Sequence, residues 1–163
     1  MVTGVVAGAI LGIALILLAR SVRAESRIFS VALMLLPLVY VAFALAAREW
    51  DAAVLELALG APFILAGALC LTFRTPISVV AIGLLWVIHA AYDISHDRLL
   101  VNSGVPGWYP LFCATLDMVV GFYVIWLASI LPRGTAAFSS AAAPTGSDYR
   151  PAHPAVTAEP VHR

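Results

Sequence analysis

The sequence contains no lysine, and charged residues of every kind make up only 11% of it. A water-solvated domain averages about 25% charged, so an ordinary soluble globule is excluded at the outset. Nine arginines balance nine acidic residues, and a chain with no net charge gives no footing for nucleic-acid binding. The only two cysteines, Cys70 and Cys113, match no zinc or redox spacing. They also fall toward opposite ends of the apolar runs that carry them, too far apart for a disulfide within one subunit. No basic segment precedes the first apolar run, since Arg20, Arg23 and Arg27 follow it, so an ordinary secretory signal peptide is not expected.

Histidine is scarce as well. Four are present, of which His153 and His162 lie among prolines near the end and read as solvated. The remaining two, His89 and His96, are too few for the His boxes of di-iron desaturases. Both lie on one helix, so a transmembrane bis-His haem is excluded. Ser95 and Ser103 sit in no nucleophile elbow. No strand is expected, and no glycine-rich phosphate loop.

What is present is apolar sequence, 63% of 163 residues, with a mean hydropathy of +1.00. Five runs reach or approach the length that spans a bilayer, about 17–25 residues. They predict an all-α polytopic membrane protein, a bundle of five transmembrane helices at about 2–19, 28–47, 52–73, 77–96 and 110–131. The first run carries Gly4, Gly8 and Gly12. Spacing of four puts them on one face, where another backbone can approach closely. That face suits packing against a helix of the same chain or, alternatively, a homo-oligomer seam. Pro37 lies inside the second run and is expected to kink it. The four-residue link at 48–51 makes the second and third spans an antiparallel hairpin. The fourth run is extended to His96 because Asn102, Ser103 and Gly104 are its first stop signal. The domain reading is a bundle at 1–132 and a disordered cytoplasmic Ala/Pro/Ser-rich tail at 133–163.

Arginine in short loops stays cytoplasmic. One set of links holds Arg20, Arg23, Arg27, Arg74 and Arg133, and the other holds Arg48 and Arg98. The bias predicts a multi-pass protein of the cytoplasmic (inner) membrane with its N-terminus outside and its tail in the cytoplasm. In that orientation Tyr40, Glu56, His89 and Asp117, on four different helices, share one layer of the outer leaflet, roughly 7–11 Å below its surface.

The chemistry concentrates between His89 and Asp117. His89, Asp93 and His96 stand at i, i+4 and i+7, within roughly 60° of one another on a helix. Cys113 and Asp117 form a matching stripe on the next span. An ionisable group in hydrocarbon costs about 2.5–3.5 kcal/mol or more, so such groups turn inward and find partners. A shared polar pocket open to the outer side follows, with His89, Asp93, Asp117 and Glu56 as acid–base residues. Tyr40, Tyr92, Trp108, Tyr109 and Cys113 are placed around a small solute or lipid head group. A second reading is a metal-dependent membrane enzyme in which His89, Asp93, His96 and Asp117 hold a divalent ion such as zinc. There His96 stands about 10 Å along the axis from His89 and is a strained fourth ligand. A third reading is structural, in which polar pairs only fix helix packing. In that reading His96, Asp97 and Arg98 are simply solvated. The partners implied are the lipid bilayer and, through the glycine face, a second copy.

H-x-x-Y-D-x-x-H, here His89, Tyr92, Asp93 and His96, is followed by V-P-x-W-Y-P-x-x-C-x-x-x-D, here Val105 to Asp117. This resembles a bacterial family of short integral-membrane proteins. The resemblance covers about a fifth of the chain and implies a membrane location, but no activity.

Overall fold

The structure is a computed structural model that describes residues 2–73 and 75–130. Five helices follow one another: α1 (Val2–Ser21), α2 (Glu25–Ala46), α3 (Trp50–Thr72), α4 (Pro76–Leu99) and α5 (Tyr109–Ile130). No strand occurs among the described residues. All five are long and apolar enough to cross a membrane, as the five apolar runs require. The proposed tail at 133–163, with His153 and His162, lies outside the described residues.

The helices run past the apolar segments that predict them, because backbone hydrogen bonding ends them, not polarity. At the end of α1 the Ala24 N–H donates to the Ala19 carbonyl and the Arg23 N–H to that of Arg20. Arg23 takes a left-handed φ of 51°. The same bonds recur after α2, from Glu49 to Ala44 and from Arg48 to Leu45, with Arg48 at φ 64°. This six-residue closure normally places glycine at the left-handed position. Here arginine occupies it twice, so the usual stop signal is missing and the expected eight-residue link at 20–27 shrinks to a tight turn. α4 starts on a conventional box: Thr75 accepts from the Ser78 N–H at 3.2 Å, and Ser78 accepts from the Thr75 N–H.

The closest backbone approaches pair α4 with α5, α2 with α3, and α1 with α5. Small residues notch each pair. Gly4, Gly8 and Gly12 are buried against Trp108 just before α5 and Phe112, Thr115 and Val119 within it, so the glycine face is filled from within the chain. It is therefore not free to serve as a seam between copies. Gly60 receives Pro37, and Gly83 faces Gly121. α2 runs through Pro37 without interruption.

The bundle thus has two parts, the α2–α3 hairpin and the α1–α5–α4 row. Toward one end, their seam is apolar. Phe29, Leu33, Phe63, Ile82, Trp86 and Val120 pack there, and the Trp86 indole N–H donates to the Phe29 carbonyl at 3.2 Å. Toward the other end, where α2 meets α3 and α4 meets α5, the seam is polar.

Candidate functional site

The polar half of the seam consists of two histidine–carboxylate centres bridged by one tyrosine. In the first, His89 Nδ1 lies 2.7 Å from Asp117 Oδ2 and 3.6 Å from Asp93 Oδ2. Asp93 and His89 meet because they are one turn apart on α4. Asp117 reaches them from α5 because Gly83 and Gly121 let those two helices approach closely. The Tyr40 hydroxyl, from α2, donates to Asp93 Oδ1 at 2.9 Å. Phe63 of α3 meets the His89 ring edge to face, with centroids 4.9 Å apart.

In the second centre, Glu56 of α3 is the acceptor. His96 Nε2 lies 2.8 Å from Glu56 Oε1, and the Asn102 amide donates to the same oxygen at 2.9 Å. The Tyr92 hydroxyl donates to Glu56 Oε2 at 2.5 Å. The two centres join through Tyr40, whose ring stacks on His96 with centroids 4.5 Å apart while its hydroxyl holds Asp93.

Tyr40, Glu56, His89, Asp93, His96 and Asp117 are all 0–1% exposed. This corrects the expectation of an open pocket, since the groups are packed against one another and closed from solvent. It also corrects the reading of His96 as solvated. Seven residues from His89, it stays on the inward face, and α4 continues to Leu99, which carries it under the following loop. Asp97 is 86% exposed at its side chain and remains on the outside, 3.3 Å from His96 Nδ1. The metal set predicted from sequence divides accordingly. His89, Asp93 and Asp117 each offer a donor atom within 4.8 Å of the others, whereas His96 belongs to Glu56.

Of the aromatic residues expected at the site, Tyr40 and Tyr92 hold its carboxylates. Tyr109 and Cys113 pack beside Tyr40 in an apolar wall. Trp108 does not join them. Its indole is half-exposed at the bundle's end, edge to face with Tyr109, where an amphipathic ring suits the membrane–water boundary. Cys70 and Cys113 are both buried and free.

Asn102 has a role that its sequence position did not reveal. An Asn-Ser-Gly run reads as a turn, and it is one, but the Asn102 side chain is buried. It donates to Glu56 and to the Tyr40 carbonyl, and accepts from the Gly104 N–H. Ser103 is tied to Glu49 by its N–H at 3.0 Å and its hydroxyl at 2.6 Å. Gly104 lies directly on the Phe43 carbonyl, where no β-carbon would fit. Residues 100–108 therefore form a strap across the polar end. No local signal marks Asn102, because its burial depends on where α2 and α3 stand.

Three polar atoms of the first centre, His89 Nε2, Asp93 Oδ2 and Asp117 Oδ1, are buried without a hydrogen-bond partner. Buried polar groups are nearly always satisfied, so this centre is incomplete in a way that the Glu56 centre is not. No family model, curated protein or solved structure matches the chain.

Proposed function

We propose that this multi-pass membrane protein uses the His89–Asp93–Asp117 centre to take up and release a proton while handling a small solute or lipid head group. The supporting observation is one imidazole nitrogen shared between two carboxylates, 2.7 Å from Asp117 and 3.6 Å from Asp93. Even with His89 as imidazolium, the trio carries one surplus negative charge, in a site closed to water. An uncompensated buried charge costs several kcal/mol, and a proton on the cluster removes it. The site is then an acid–base store with its donors and acceptors already in place. The arginine bias, five residues against two in the short links, supports a cytoplasmic-membrane protein with the N-terminus outside. Under that orientation the polar end faces the outer leaflet, and the strap is the cover that a solute must pass. The resemblance carried by His89, Tyr92, Asp93, His96 and the Val105–Asp117 segment is consistent with a bacterial membrane protein.

The test is proton-coupled flux in vesicles containing the full chain. Asp117→Asn keeps shape and hydrogen bonding but cannot take up the proton. It is expected to abolish coupled uptake, or turnover if the solute is chemically changed, while the protein remains folded. Full activity in Asp117→Asn would sink the proposal.

The unpartnered atoms favour one second reading. Asp93 Oδ2, Asp117 Oδ1 and the His89 ring are one nitrogen and two oxygen donors, a set suited to zinc, iron or manganese. Stoichiometric metal in purified protein, lost in Asp117→Asn, would select this reading over the proton store.

A further inference from the structure

A different site lies at the opposite end of the bundle, where α1 and α5 finish and α2 begins. A cavity of about 450 Å³ opens there, lined by Arg20, Arg23, Glu25, Tyr123, Trp126 and Ile130 among others. Two guanidinium groups lining one cavity call for counter-charge. Among the described residues, neither makes a salt bridge within 4.0 Å. The carboxylate among the described lining residues, Glu25, accepts from the Tyr123 hydroxyl at 2.5 Å, a hydroxyl that Arg20 also approaches, and it offsets only one of the two positive charges. α2 begins at Glu25 with no side-chain cap, so its open N–H groups add a weak positive field. Among the described residues the cavity therefore keeps one positive charge in surplus, two guanidinium groups against one carboxylate.

Its rim is apolar and faces outward. Val22, Trp126 and Ile130 are each more than half exposed, at the level where two spanning helices end. Indole rings collect at this depth, beside the head groups. Guanidinium is the side chain best matched to a phosphate, which it binds through two parallel N–H donors.

We infer that this cavity binds the phosphate of an anionic phospholipid, with Arg20 and Arg23 on the phosphate, Trp126 at head-group level and the acyl chains along the exposed faces of α1 and α5. The flanking apolar surface points to a lipid, not a free anion. This inference does not depend on the polar centre at the other end.

The test reconstitutes the full chain in nanodiscs of phosphatidylcholine and replaces part of that lipid with phosphatidylglycerol, following thermal melting. Wild type is expected to melt higher as phosphatidylglycerol rises. Arg20→Gln/Arg23→Gln should show an apparent affinity for phosphatidylglycerol about 30-fold weaker, the loss expected for two interfacial charges. Arg98→Gln, at the other end, should respond like wild type. Should the double variant fail to fold in phosphatidylcholine, Arg23→Gln alone, in the exposed turn, gives the same reading with a smaller loss. A wild type indifferent to phosphatidylglycerol would overturn the inference. So would variants that respond as wild type does, or inorganic phosphate that reproduces the shift without any anionic lipid.

Discussion

His89 on α4 and Asp117 on α5 meet at 2.7 Å, with both side chains excluded from solvent. Each residue alone would be an uncompensated polar group inside the bundle, and the pair ties the helices at one register. Asp117→Leu is expected to lower stability by about 1–3 kcal/mol, because His89 loses the nearer of its two carboxylates while staying buried. Asp117→Asn should lower it much less. Melting curves in detergent compare the two directly. If Asp117→Leu melts with wild type, the pair does not hold the register.

The strap rests on one amide. Asn102→Ala removes a donor from Glu56 and another from the Tyr40 carbonyl. A loss of about 1–3 kcal/mol is expected. The local signature matters more: amide exchange should quicken across residues 100–108 and remain slow in the middle of α4 and α5. Uniform quickening would mean that Asn102 supports the whole bundle and not the strap.

Gly8 is where α1 touches α5. A β-carbon there would run into the Phe112 carbonyl, which is backbone and cannot swing aside. Gly8→Ala should therefore force the helices apart, at a cost of about 1–3 kcal/mol. Gly107→Ala, with nothing within 4 Å of the added carbon, should stay within about 0.5 kcal/mol of wild type. Equal melting temperatures for the two variants would remove the seam from the account.

Arg48 holds a left-handed conformation at φ 64°, which costs a residue with a β-carbon about 1–2 kcal/mol. Glycine removes that cost but loses more entropy on folding, about 0.5–1 kcal/mol. Arg48→Gly should be stabilising by about 0.5 kcal/mol, read as a small rise in melting temperature. A fall would show that the arginine side chain contributes more than its backbone geometry costs.

The five spans were legible because a bilayer-length apolar run has few other uses, and because this sequence contains so little else. The meeting of His89 with Asp117 was legible too. Short links make neighbours of consecutive helices, and buried ionisable groups must find partners. Helix ends were less so: Arg23 and Arg48 occupy positions where glycine would have announced a stop. The solvated reading of His96 fails because its nearest sequence neighbours, Asp97 and Arg98, are polar, whereas its surroundings come from Glu56, 40 residues before it, and from Asn102 in the loop that follows α4. Asn102 itself carried only a turn signal. Contacts set by helix periodicity could be read one span at a time. Those set by the strap and the α2–α3 hairpin required the assembled bundle.

The packing of α1 bears on how the protein is made. α1 is synthesised first, yet its glycine face is filled by α5, about a hundred residues later in the chain. At roughly 5–20 residues per second, α1 waits about 5–20 s in lipid before its partner exists. It is also the most apolar of the five spans, with no acidic residue or histidine in it, so it can reside there alone. The polar groups wait less, since Glu56 meets Tyr92 and His96 on the next span and His89 meets Asp117 on the one after. The order of the helices in the sequence is therefore also a workable order of insertion, with the self-sufficient span first and docked last.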